Sequence, residues 1–483
     1  MTAREPVLLG IDLGTTDVKA ALVTLDGRLV ALARSAYGLD LSGGHGWVEQ
    51  DPGAWWSAVV SSVRALRAAE IGEVVAIGVD GHGPTLVAVD ARGEATRPAI
   101  TYLDSRANAE AAELRAASGV QGWSLGGLPA ALWVERHEPA VVEATRWYLA
   151  TWEWLVFRLT GVADAPLVPD QVPQDRGVLA AAGVSVDRLP APSPIGRVVG
   201  GLTSASADAL GLEPGVPVIS GAVDAFASYL GAGLLESGDA YDSGGSSGGF
   251  GVYWDRPVDV QGGFVTRAPL AGRYSVGAAM AATGRALDWY RDDVLGGTIS
   301  TDALLAEAAA TPPGADGLVF LPYLAGERSP IWDPDARGVL AGLTAGHGRA
   351  HIARAIVEAS ALAIRHVSSP MLAAGVRVTA MRVCGGPARS TFWNRVKADV
   401  TGFQVLVPEV LETAVLGSAI LAAVGIGAYP DLPAAILAMT RISAQIEPRR
   451  ELAPVYDRLY AAYVGLYPAT APLLRPLLGE HDA

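Results

Sequence analysis

Val7-Leu-Leu-Gly-Ile11, Asp12-Leu13-Gly14-Thr15-Thr16 and Val18-Lys-Ala-Ala-Leu-Val23 form the stretch whose reading decides the fold. Two apolar runs flank a Gly/Thr turn, and Asp26-Gly27 then leads into a third run, Leu29-Val-Ala-Leu32. Asp-Gly between apolar runs is a hairpin signal, so residues 7–34 are predicted to form three strands. Asp51-Pro52 predicts a helix start, with Asp as cap, Pro in the first turn, and Trp55, Trp56, Val59, Val63 and Leu66 as apolar residues. Residues 74–79 return to strand. A meander followed by helix–strand alternation is an α/β arrangement with a mixed sheet.

From Gly238 the pattern begins again. Ala240-Tyr-Asp242 leads into a Gly/Ser turn and then into Phe250-Gly-Val-Tyr-Trp254, which alternates like a strand. Helices are predicted around 350–373, 391–400 and 413–424, with a strand near 381–383. Two halves of related design follow, one over 1–235 and one over 236–483. Between 163 and 194 the polar, Pro-rich sequence reads as a long surface excursion.

Two or three domains are also what 483 residues lead one to expect. The balance of 36 basic against 50 acidic residues, net −14, argues against nucleic acid or an anionic membrane as a partner. A nucleotide phosphate would then be held by local dipoles and metal. The single cysteine, Cys384, excludes an internal disulfide framework and fits a reducing cytoplasm. The apolar stretch from Ala414 to Tyr429 is interrupted by Ser418 and glycines, ends at Pro430, and reads as a buried helix.

Chemistry concentrates at the turns. In Asp12-Leu13-Gly14-Thr15-Thr16, backbone N–H groups and hydroxyls can wrap phosphate oxygens while Asp12 holds a cation and Lys19 adds charge. An ordinary tight hairpin is the plainer reading. Gly245-Ser246-Ser247-Gly248 has the same character; with Gly244 before it the run also matches the G-x-S-x-G hydrolase nucleophile elbow, but that motif needs a helix directly after the serine. Gly385-Gly386-Pro387-Ala388-Arg389-Ser390 joins a strand to a helix, where glycines admit a flat ring and the helix start favours a polar group. Asp224 opens a small-residue helix, as a cap or as an acceptor for a substrate hydroxyl proton.

Together these blocks resemble the FGGY carbohydrate kinases over nearly the whole chain. Gly338-Val-Leu-Ala-Gly-Leu343, seven residues, then His351-Ile-x-x-Ala-Ile-Val-Glu358 is similar to the family's second signature at every position. Leu321-Pro-Tyr-Leu-x-Gly-Glu-Arg-Ser-Pro330, Gly385-Gly386 with Trp393, Ala398-Asp399 and Glu49-Gln50-Asp51-Pro52 also look like family blocks. The resemblance implies two actin-like, ribonuclease-H-like domains flanking a catalytic cleft. It implies ATP with Mg²⁺, Asp224 as base, and Asp12 near the metal. Thr15, Thr16 and Lys19 would form the first phosphate loop, and Gly245 and Ser246 the second. Gly284, Asp288, Gly386 and Ser390 would contact the nucleotide. The sugar would meet Gly81, His82, Gly83, Tyr102 and Asp104. A homodimer is left open.

The blocks look most like those of xylulokinases, so D-xylulose is the expected substrate. Another pentulose, a deoxyketose, a polyol, or a non-kinase nucleotide switch on the same fold are the alternatives. The sequence departs from the family at Ala130, where a Lys usually precedes the Trp133 position, and at His82, often Gln. It departs also at Asp17, usually Ser, and at Pro169-Asp170-Gln171.

Overall fold

β1 (Pro6–Leu13), β2 (Asp17–Thr24) and β3 (Leu29–Ala36) form the expected antiparallel meander in the computed structural model. The structure describes residues 5–44, 46–67, 72–120, 125–245, 247–281 and 283–477. The chain divides into two compact units. The first is Met1–Leu235 with Arg267–Gly272 and Glu412–Arg441; the second is Glu236–Thr266, Arg273–Leu411 and Ile442–Ala483.

In the first unit, β4 (Glu73–Gly81) runs parallel to β1, and β5 (Val198–Gly201), β6 (Pro217–Ile219) and β7 (Ala222–Val223) complete the sheet. Strand order is β5–β6–β4–β1–β2–β3, with β7 beside β4. β1 is buried after its first residue, because an apolar run without alternation must be covered on both faces. One cover is the helix Pro52–Arg67, which contributes Trp55, Val59, Val63 and Leu66 to the core. The helix Thr413–Gly425 packs on β1 and β4, with the carbonyls of Val415 and Ser418 where a Cβ of Gly10 or Gly78 would stand.

That helix belongs to the first unit, although the sequence pattern assigns 236–483 to the second half. The reason is its composition. A helix apolar all round must be enclosed, and Thr413–Gly425 is buried from Val415 to Ala423. Among the described residues, no helix is long and apolar enough to cross a membrane.

The second unit repeats the design with β8 (Asp239–Asp242), β9 (Gly248–Trp254), β10 (Tyr274–Met280), β11 (Ala380–Val383), β12 (Val405–Pro408) and β13 (Ile442–Ile446). These strands run in the order β10–β9–β8–β11–β12–β13. Along this path the pairings are antiparallel, antiparallel, parallel, parallel, antiparallel. The path β3–β2–β1–β4–β6–β5 has the same series.

The helix Arg349–Ala373 carries the His351–Glu358 block in the core. There the buried Glu358 accepts from Arg354 Nε at 2.8 Å, Gly314 N–H at 2.9 Å and the Tyr456 hydroxyl at 3.2 Å. This block acts in packing. The excursion between 163 and 194 is more ordered than its composition suggests. Strands Ala165–Leu167 and Pro192–Pro194 pair in parallel, and Leu179 and Val184 join a small apolar cluster.

Candidate active site

Parallel pairing sets Asp12 of β1 directly beside Asp80 of β4, and Ala222 of β7 stands on the far side of Asp80. Two residues later Asp224 opens the helix Asp224–Gly231. Val223 occupies the cap position, so Asp224 is not the cap; its Oδ1 accepts the Ala225 N–H at 2.7 Å. Low-dielectric surroundings first, and the Asp12 charge second, push the Asp224 carboxyl up to about 7, against the Ala225 N–H and Lys19. Such a group can take up a proton near neutrality.

Asp12 is buried and pairs with Lys19 at 3.0 Å, and Lys19 lies 3.6 Å from Asp17. Burial opposes the Lys19 charge, but Asp12 and Asp17 overcome it and raise its pKa. Asp17, the departure expected to add negative charge, is thus partly offset. Asp80 is fully buried and accepts the Ser418 hydroxyl at 2.5 Å. Burial and then Asp12 hold its carboxyl well above the usual range.

The first turn is braced at both ends. Gly14 N–H donates to Asp17 O at 3.0 Å, and Gln50 Nε2 donates to Thr15 O at 2.8 Å. The hydroxyls of Thr15 and Tyr102 meet at 3.1 Å, while Thr16 is exposed. Tyr102 also lies against the His82 ring, centroids 6.0 Å apart. His82 is buried, its N–H donates to Leu13 O at 2.9 Å, and its Nδ1 shares a hydrogen bond with Thr85 Oγ1 at 3.0 Å. Burial lowers its pKa to about 4, so the imidazole is neutral. Gly81 packs against Thr151, and a Cβ at Gly83 would stand 2.9 Å from Trp152. Thr15, Lys19, Gly81, His82, Gly83 and Tyr102 therefore form one neighbourhood with the acids.

Asp104 is held differently. Its carboxylate takes the Val48 N–H at 2.7 Å and the Arg106 guanidinium at 2.6 to 3.0 Å, and its side chain is 1% exposed. Arg106 in turn lies 3.7 Å over the Trp47 ring and 5.1 Å from that of Trp133. Asp104, expected on the sugar, is thus held by its own loop through Val48 and Arg106.

Sequence reasoning missed Asp80, its pairing with Ser418, and which of the tryptophans between 123 and 154 faces Gly83. A charged residue at the end of an unbroken apolar strand was the available signal for Asp80. Gly81-x-Gly83 was the signal for a large neighbour, which is Trp152. Ser418 stood out only as a polar break in an apolar stretch, and its partner lies 338 residues away.

In the second unit β8 ends at Asp242, and Ser243-Gly244-Gly245 follows; Ser246 lies outside the described residues. Gly284 N–H and Thr283 Oγ1 both donate to Gly245 O, at 3.1 and 3.0 Å. A Cβ on Gly284 would come within 2.8 Å of that oxygen and 3.7 Å of Pro387. Gly386 is exposed with nothing within 4 Å of its Cβ position, and Ser390 caps the helix Thr391–Thr401 through Trp393 N–H at 3.2 Å. Gly245, Gly284, Gly386 and Ser390 are thereby brought together. Asp288 is exposed, 3.4 Å from Arg291. Bare backbone, open glycine faces and a capped helix start suit a nucleotide.

Comparison with known proteins finds matches in both units. Residues 7–168 match the N-terminal domain, and 240–426 the C-terminal domain, of the FGGY family of carbohydrate kinases. The xylulose kinase of Escherichia coli (strain K12) is 32% identical over 421 residues, covering 82% of this chain and 85% of that protein. The chain belongs to the FGGY family of carbohydrate kinases. It is an ATP-dependent sugar kinase built of two actin-like domains. A solved structure, xylulose kinase from Rhodospirillum rubrum, aligns with a TM-score of 0.80 at 32% identity over 97% of this chain and 100% of that one. A gluconokinase of Bacillus subtilis (strain 168) is 27% identical, covering 98% of this chain and 99% of that protein. Kinases of the family use ATP, typically with a divalent metal. Among the described residues, no group of three or more His, Cys, Asp or Glu could hold a metal ion. A single carboxylate such as Asp12 fits the case in which one protein ligand and the substrate phosphates share the metal.

Proposed function

We propose that this kinase phosphorylates D-xylulose at its primary hydroxyl, with ATP and Mg²⁺, and that Asp224 is the base. The observation that carries the reading is the Asp224 carboxyl, poised near 7 beside Asp12 and Lys19. In its ionised form Asp224 accepts the hydroxyl proton as that oxygen attacks the γ-phosphorus; the bond to the β,γ-bridging oxygen breaks and ADP leaves. Mg²⁺, when bound, neutralises phosphate charge, and Asp12 is the residue that would hold it. Thr15, Thr16 and Lys19 orient the transferred phosphate. His82 and Tyr102 contact the sugar, with Gly81 and Gly83 admitting Trp152 to the same wall. The first unit thus serves sugar and proton transfer. Gly245, Ser246, Gly284, Asp288, Gly386 and Ser390 of the second unit serve the nucleotide.

Gluconate is the second reading, supported by the gluconokinase relative. Against it, the charges that act on Asp224 are those of Asp12 first and Lys19 after it, an order that favours a neutral sugar over a carboxylate. An ADP-release screen across pentuloses, hexuloses, polyols and gluconate tests both. D-xylulose is expected to give the highest kcat/KM. A higher value for gluconate would replace it, and ATP turnover indifferent to every sugar would remove the kinase reading of the site.

A further inference from the structure

Asp242 and Lys397 form a direct buried ion pair, 1% and 2% exposed, in the second unit. Asp242 Oδ1 also accepts the Gly244 N–H at 3.2 Å, and Asp242 O accepts the Cys384 N–H at 3.2 Å. Gly244 has φ +51°, and the Cys384 carbonyl stands where its Cβ would be. Gly385 has φ +71°, and its Cβ would stand 2.9 Å from Gly244 O. No side chain fits between these turns, so their mutual position depends on what anchors them from below. Lys397 does this from the helix capped by Ser390, its Nζ 3.7 Å from the Gly244 Cβ position.

We propose that Lys397 and Asp242 are positioning residues for the nucleotide: the pair fixes the Gly244-Gly245 turn against the Gly385-Gly386 turn and the Ser390 helix. Stability alone does not call for a charge pair here, since well-packed apolar residues serve a core at least as well as a buried ion pair. What the pair adds is direction. One carboxylate oxygen faces Lys397 and the other faces the turn that carries Gly245. This inference rests on the reading of the second unit as the nucleotide unit.

The test uses the full enzyme, with KM for ATP, KM for the best sugar of the screen, and ADP affinity by calorimetry. K397M leaves the Asp242 carboxylate buried alone and is expected to weaken ATP and ADP constants by about tenfold or more, with sugar KM nearly unchanged. D242N/K397M keeps an oxygen for the Gly244 N–H without a lone charge, and should return the nucleotide constants to within about threefold of wild type. Unchanged nucleotide constants in K397M, nucleotide and sugar constants moving together, or a double variant no better than K397M would each overturn the proposal. Should K397M not fold, D242N/K397M is compared with D242A/K397M, which lacks that acceptor. The alanine pair should bind ADP several-fold more weakly, and equal affinities overturn the proposal. G386V separates the two levels, because its side chain enters open space. If G386V leaves ATP binding intact, the nucleotide reading of the unit falls and the proposal with it; if only G386V acts, the proposal alone falls.

Discussion

The two units share a strand path but differ in how each holds the acid near the end of its first strand. Asp12 of β1 is paired with Lys19 from the adjacent strand, whose side chain is 20% exposed, and it has Asp80 beside it in register. Asp242 of β8 is paired with Lys397, 155 residues away on a helix, and both are sealed from solvent. One surplus of negative charge is left beside Asp224; the other acid is matched one to one. Unbalanced acids raise each other's affinity for protons, which suits proton transfer. A matched pair spans the gap between a strand end and a helix, and its use is to hold a turn in place.

The comparison breaks first at Asp224. D224A is expected to lower kcat by about 10²–10⁴, the usual worth of a general base, while ADP affinity stays within about twofold of wild type. Turnover near wild type would show that the surplus acid of the first unit has no catalytic use. D12N comes next. Losing this carboxylate should reduce kcat by about 10- to 100-fold and move the Mg²⁺ dependence to higher concentration at saturating ATP. An unchanged Mg²⁺ midpoint would reassign Asp12 to support of Lys19 alone.

Much of this contrast was legible in the sequence, and the illegible part has a physical cause. Both meanders were visible because apolar runs, Gly/Thr turns and Asp-Gly are local signals. Asp12, Asp224, Gly245 and Gly386 stood at such turns, so their neighbourhoods could be read. The partners of Asp104 could not be read from its block, because the Val48 N–H that it accepts comes from a segment 56 residues away. Lys397 lay on an amphipathic helix face where a solvated lysine is ordinary, and only the fold brings it to Asp242. The helix Thr413–Gly425 was legible as a buried helix, but its unit was not. Apolar residues on every side say that a helix is enclosed, never by what.

The smallest effects concern pH and sharpen the contrast most. Asp224 works as a base only when ionised, so with its carboxyl near 7, kcat/KM for the sugar should fall about tenfold per pH unit below that value and level off above it. Asp12 raises this pKa and Lys19 lowers it. D12N, whatever activity it retains, should therefore move the acid limb to lower pH, and K19M should move it to higher pH. The Lys19 shift is the smaller, because among the causes acting on Asp224 its charge ranks below Asp12. Opposite displacements of one limb by two neighbours identify the titrating group as the carboxyl on which both act. D242N/K397M provides the control from the other unit, since it removes both charges of a matched pair and should leave the midpoint where it is. A limb that ignores both Asp12 and Lys19 would mean that the group titrating near 7 is not Asp224.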